Sequence, residues 1–200
     1  MIARNFALSC FFLGSLAFAL SGKVEAASTA PGTYRNWNGE IDEVTIVQPF
    51  RLDSYSDIAV ESFDITGLTL PNPQENTFAA VQKALRSLKS AFIEGFRESL
   101  RQKPGPAIPR QGKAETLVII ARVIKADPGS QAARAWGFGA GAVKVAITGE
   151  IVDARSRKVL IRFRQERYAG FGLFGGGYGK LFDKTAHQIG VDIAELLNAF

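Results

Sequence analysis

Cysteine and histidine, the side chains most often used for disulfides, nucleophiles and metal sites, are almost absent from this chain. Its 200 residues include one cysteine, Cys10, and one histidine, His187. A single cysteine cannot form an intramolecular disulfide, and one histidine cannot supply the several ligands that a transition metal needs. We therefore expect a fold held by packing alone, with no metal and no cofactor.

The chain also lacks a hydrophobic run long enough to span a membrane. Its apolar stretch covers residues 6–20, whereas a transmembrane helix needs roughly 20 such residues. Arg4 precedes the stretch, and residues 24–26 (Val-Glu-Ala) place small side chains where a signal peptidase cuts. We therefore predict a cleaved signal peptide at residues 1–26 and a periplasmic location, either associated with the outer membrane or secreted. An uncleaved anchor is the alternative.

Strong charge of one sign is missing as well. Arg4, Lys23 and Glu25 leave with the signal peptide, so the formal net charge falls from +5 to +4. This excess is too small for a nucleic-acid-binding domain but is compatible with anionic lipid headgroups. The expected partner is an envelope protein or a membrane surface, with no nucleic acid, and the oligomeric state stays open.

The remaining sequence predicts one α+β domain at residues 43–200, after a flexible N-terminal arm at residues 27–42 that shows no periodicity. The order is β-β-α-β-β-β-α: strands at 44–50, 57–63, 116–125, 142–153 and 158–168, and helices at 75–101 and 181–198. We predict a mainly antiparallel sheet of about five strands, with both helices packed on one face. Phe92 and Ile189 should then both be buried.

The last two strands alternate between apolar and polar residues, which predicts one buried and one wet face. Ile151 and Ile161 belong to the buried face, and Arg162 and Arg164 to the wet face. To place both apolar sets on one side, the connecting turn needs an odd number of residues. A type I turn with a bulge at Arg157 would supply it.

No catalytic constellation is evident. Asp183 lies one helical turn before His187, but no G-x-S-x-G elbow accompanies the pair, and such neighbours are usually surface pairs. The acidic residues are scattered, and nothing nominates a catalytic pair among them. We nominate no catalytic residue.

The glycine-rich segment at residues 170–179 matches G-x-G-x-x-G but lacks the second strand that a dinucleotide site requires. Phe171, Phe174 and Tyr178 also place bulky side chains where the backbone should approach phosphates. We therefore predict no nucleotide and interpret these aromatic residues as contacts for a partner or a membrane.

Arg162 and Arg164 are the other predicted contact residues, because both project from the wet face of the sheet. An anion- or lipid-binding patch is one interpretation of this pair. The alternative is a solvated face whose charge is balanced by Glu150 and Glu166.

One stretch carries a family resemblance. Residues 134–141 (RAWGFGAG) open a strand, and residues 153–158 (DARSRK) turn it back. Together with Gly129-Ser130 upstream, they resemble the domain-of-unknown-function 4410 family of exported Gram-negative proteins, over roughly residues 57–200. Members of that family carry R-x-x-G-F-G-A-G before a hairpin turn that usually reads D-x-x-T-G-K. Ser156-Arg157 replaces the Thr-Gly here.

The resemblance implies an envelope location and carries no reaction, cofactor or catalytic residue. We interpret Gly137, Gly139 and Gly141 as a structural motif that permits positive φ, a bulge or close backbone approach. A binding role for this loop is the alternative.

Taken together, the sequence predicts an exported, non-enzymatic accessory protein that binds another envelope component. An enzyme acting on an envelope substrate and a lipid- or membrane-surface-binding module are the alternatives.

Overall fold

A computed structural model describes residues 29–68, 70–75, 77–101, 115–129, 141–170 and 177–200. The predicted signal peptide lies outside these residues. The elements are β1 (Gly32–Trp37), β2 (Ile41–Ile46), β3 (Asp57–Asp64), α1 (Phe78–Ser99), β4 (Thr116–Asp127), β5 (Val143–Asp153), β6 (Val159–Ala169) and α2 (Tyr178–Asn198). A short 3-10 helix, Leu52–Ser54, precedes β3.

The strands form one mixed six-stranded sheet in the order β1-β2-β6-β5-β4-β3. All neighbours are antiparallel except β3 and β4, which are parallel and are joined through α1. Both helices pack against the sheet, and Phe92 and Ile189 are fully buried as predicted. The α+β class and the two packed helices are confirmed.

The main difference from the sequence analysis concerns residues 27–42. This stretch contains β1 and the start of β2, whereas we expected an arm without regular structure. Trp37 and Ile41 are buried at its turn, and Asn36, Asn38 and Gly39 adopt positive φ there. Because β1 is an edge strand with mostly exposed side chains, it carries no alternation that a sequence pattern could show.

The β5–β6 hairpin has the predicted register, since Ile151 is opposite Ile161. The pairing shifts by one residue immediately afterwards, where Val152 is opposite Val159. Arg157 has φ 57°, in the left-handed region that the predicted bulge requires. The hairpin therefore places Arg162 and Arg164 on the side away from the helices.

The two helices run parallel to one another, so both begin at the same end of the molecule. Ser87 contacts Asp183 near their starts, and the Arg101 amide donates to Asn198 near their ends. At the crossing between them, a Cβ on Gly95 would collide with the His187 carbonyl oxygen. No helix in the described part of the chain is long and apolar enough to cross a bilayer.

Candidate functional site

The open face of the sheet presents the predicted arginines to solvent. The Arg162 guanidinium donates from Nε to Glu150 Oε1 at 2.9 Å, so its charge is balanced as the solvated alternative expects. Arg164 is exposed between Glu43 and Thr148 and forms no ion pair within the described residues. Neighbouring charges on this face are also paired: Arg35 with Glu43, Arg122 with Asp64, and Lys125 with Glu166.

Most of the predicted aromatic contacts cannot be placed. Phe171 and Phe174 lie outside the described residues, and Tyr178 begins α2 with a side chain that is not described. Their contact role stays a prediction. Tyr168, just before this segment, is 57% exposed and is the aromatic residue of β6 that faces solvent.

The glycine motif is described only at its end. Gly137 and Gly139 lie outside the described residues, whereas Gly141 has φ 74°. A Cβ on Gly129, which has φ 61°, would collide with the Gly141 carbonyl oxygen. Positive φ and close backbone approach, the two features expected of the motif, therefore occur together where it meets β5.

His187 and Asp183 do not interact with each other. His187 Nε2 lies 2.9 Å from Glu98 Oε2 on α1, and Asp183 Oδ1 accepts a hydrogen bond from the Ser87 hydroxyl at 2.6 Å. Both side chains therefore join α2 to α1 and form no catalytic pair.

A buried polar cluster that the sequence analysis missed lies between β6, α2 and the β1–β2 turn. Asp192 is 1% exposed and receives two hydrogen bonds from Arg167, from Nε to Oδ2 at 2.7 Å and from a terminal guanidinium nitrogen to Oδ1 at 2.9 Å. Gln165 Nε2 donates to the same Oδ2 at 2.7 Å, and Gln188 donates to Oδ1 at 3.3 Å. Gln165 and Arg167 also donate to the Glu40 carbonyl oxygen.

These hydrogen bonds hold β6, α2 and the β1–β2 turn together. The hydrogen bonds from Arg167 to Asp192 raise the pKa of the arginine, so the guanidinium stays protonated. No buried side-chain nitrogen or oxygen in the described ranges lacks a hydrogen-bond partner. Nor do three His, Cys, Asp or Glu side chains come together there in a way that would hold a metal.

The two-residue alternation of side chains along β6 could have predicted this cluster. Ile161, Phe163, Gln165 and Arg167 share one face, so the last two had to point toward the helices. Asp192 was missed because it adjoins the apolar positions of α2, such as Ile189 and Ile193, and no motif marks it.

A groove of about 860 Å³ opens between the N-terminal halves of the two helices. Three cations line it: Lys83, Arg86 and Lys180. The rest of the described lining is small or polar: Ala84, Ser87, Ser90, Gly177, Gly179 and Asp183. Smaller grooves of about 500 and 330 Å³ flank Leu68 and Leu70; the first contains charges of both signs, and the second contains Arg86 as its one charged residue among the described lining.

Comparison with solved structures finds matches of low identity and low TM-score. PelC from Paraburkholderia phytofirmans, solved as a dodecamer, is 15% identical, with a TM-score of 0.44 over 74% of this chain and 96% of that one. A Xanthomonas campestris protein of the DUF330 family is 10% identical, with a TM-score of 0.36 over 75% of this chain and 87% of that one. A Caulobacter crescentus protein described as a lipoprotein is 16% identical, with a TM-score of 0.30 over 60% of this chain and 97% of that one.

Comparison with curated proteins finds no match. The family model of DUF4410, a domain of unknown function, matches residues 58–172, which is more than half of the chain.

Proposed function

This chain belongs to the DUF4410 family, and from that premise we propose that it is an exported, non-enzymatic accessory protein that binds another component of the cell envelope. The export rests on the layout of residues 1–26, which has the charge, apolar stretch and small residues of a signal peptide. Its periplasmic location, associated with the outer membrane or secreted, belongs to the same proposal.

The observation that supports the non-enzymatic part of the proposal is that the Asp192 carboxylate is fully hydrogen-bonded within the protein. An acid that acts in catalysis must meet a substrate in a cavity. Asp192 is buried, is bonded by three side chains and lines none of the three grooves described above. His187 and Asp183, the pair considered in the sequence analysis, have different partners, since His187 lies against Glu98 and Asp183 against Ser87.

We therefore assign the binding role to residues on the surface of the protein. Phe171, Phe174 and Tyr178 are the proposed aromatic contacts, because a joining loop could be shorter and more polar than residues 170–179. Of the two wet-face arginines, Arg164 is the one whose charge is available, since Arg162 is paired with Glu150.

The first experiment tests export. We expect mass spectrometry of the protein from envelope fractions of a Gram-negative host to find a mature N-terminus at Ala27. A protein that keeps Met1 and stays in the cytoplasm would contradict the proposal.

The second experiment tests binding in living cells. A photo-crosslinking amino acid at Phe171, Phe174 or Arg164 should give one discrete adduct, whereas the same amino acid at exposed Arg97 near the end of α1, on the other side of the sheet, should give none. Equal adduct patterns at all four positions, or no adduct at any of them, would overturn these contact residues.

A further inference from the structure

We propose that the groove between α1 and α2 binds the phosphate headgroups of an anionic phospholipid surface. This inference rests on the proposed function, because it names the class of envelope component that is bound. It also places the contact on a surface separate from the wet-face arginines.

The first argument is the charge of the groove. The N-terminal half of α1, residues 78–90, carries Lys83, Arg86 and Lys89 and has no acidic residue. Within the described ranges, none of Lys83, Arg86 and Lys180 forms an ion pair, whereas on the sheet face most cations do. The acid in the groove, Asp183, already accepts a hydrogen bond from Ser87.

The second argument is that the start of α2, where Lys180 lies, favours an anion. The two helices are parallel, so the positive ends of both dipoles meet at this end, and neither first turn contains an acid. Lys180 lies in the first turn of α2, where the positive end of the helix dipole disfavours a cation. The groove holds three cations and one carboxylate, Asp183, so a bound anion would offset the remaining repulsion.

The third argument is the shape of the groove. On its α2 side, a Cβ on Gly177 or Gly179 would meet no atom of the described residues within 4 Å. The stems of Lys83 and Lys180 can lie along the groove while their ammonium groups stay in water. Cations on flexible stems around a groove with small side chains fit a phosphate better than they fit an acidic peptide, which would need partners for its backbone amides.

The test is sedimentation of the full mature chain with vesicles. We expect binding to vesicles of equal parts phosphatidylglycerol and phosphatidylcholine, and none to pure phosphatidylcholine. The double variant K83Q/K180Q should lower the partition coefficient about 30-fold, because each lysine near such a surface contributes about 1 kcal/mol.

The matched control is K89Q/K184Q. It removes the same charge from the same two helices at exposed positions outside the groove, and should lower binding by about threefold at most. Equal losses in the two double variants would mean diffuse attraction by net charge and would overturn the groove. All four substituted side chains are exposed, so we expect both double variants to fold. Melting temperatures equal to that of the wild type would show that a loss of binding is not caused by unfolding.

Two further outcomes would also overturn the inference. One is failure of the wild type to bind anionic vesicles. The other is full release by inorganic phosphate at constant ionic strength, which would mean that the groove takes the free anion. Neither outcome bears on the crosslinking at Phe171, Phe174 and Arg164, so failure of the lipid inference and failure of the proposed function can be told apart.

Discussion

At the scale of the residue, Arg157 holds a backbone conformation that suits glycine. Its φ of 57° costs an L-residue about 1–2 kcal/mol. The amide of Arg157 donates to the Asp153 carbonyl oxygen at 2.8 Å, and Asp153 Oδ1 accepts from the Ser156 amide at 2.6 Å, so the turn is held on both sides. The Arg157 guanidinium reaches Glu61 at 3.4 Å, but both side chains are about half exposed and the pair contributes little.

We therefore expect R157G to raise the free energy of unfolding by about 0.5–1 kcal/mol, since the relief of strain exceeds the lost ion pair and the added freedom of the unfolded chain. Urea unfolding at neutral pH measures the change. R157A is the control, because it removes the same ion pair and keeps the strain, and it should be no more stable than the wild type. A glycine variant less stable than the alanine variant would show that the turn is not strained.

At the scale of the element, the parallel helix pair depends on two glycines at its crossing. A Cβ on Gly95 would collide with the His187 carbonyl oxygen, and one on Gly190 with the Phe92 carbonyl oxygen. The backbones therefore approach more closely than any other residue would allow. The sequence offered only a weak signal for this contact, a glycine inside each apolar helical pattern.

Replacing Gly190 by alanine should lower the free energy of unfolding by about 1–3 kcal/mol, because the helices must separate to admit the methyl group. Gly179 on the same helix is the control. Its Cβ would meet nothing within 4 Å, so G179A should be neutral or raise stability by up to about 1 kcal/mol through helix propensity. Thermal unfolding of the two variants compares them, and equal melting temperatures would contradict the close crossing.

The elements that the sequence predicted well are those with strong periodicity. Predicted and observed bounds of α1 and α2 and of β3 to β6 agree to within a few residues, because each buries one regular face. The edge strand β1 was missed because its side chains are mostly exposed, and Asp192 because a lone acid beside apolar positions carries no pattern of its own. The helix groove could not be foreseen either, since it depends on the two helices being parallel.

At the scale of the whole molecule, the Asp192 cluster joins the start of the chain to its end. Gln165 and Arg167 bind the Glu40 carbonyl oxygen in the β1–β2 turn and the Asp192 carboxylate in α2 at the same time. Gln165 Oε1 also accepts from the Asp42 amide at 2.9 Å. The hairpin of β1 and β2 is therefore held by side chains from the last strand and the last helix, as well as by strand pairing.

We expect D192N to lower the free energy of unfolding by about 1–3 kcal/mol, since it leaves the Arg167 charge without its carboxylate. Hydrogen exchange should also show faster exchange of the β1 and β2 amides than in the wild type. D183N, which alters the bond to Ser87 far from the hairpin, is the control and should leave β1 and β2 protected. Unchanged protection of the hairpin in D192N would show that strand pairing alone holds it.

The pairing of β2 with β6 has a consequence for the order in which the chain can fold. Glu43 lies opposite Arg164, so the centre of the sheet joins an early segment to a late one. Such non-local pairing gives a high contact order, which slows folding because a long loop must close before the contact forms. During synthesis, β1 and β2 can form only an isolated hairpin until β6 has left the ribosome, and such a hairpin is marginally stable at best. A chain of this topology stays unfolded for longer than one built from local contacts, and the export proposed above would require an unfolded chain, the form that a secretion channel threads across a membrane.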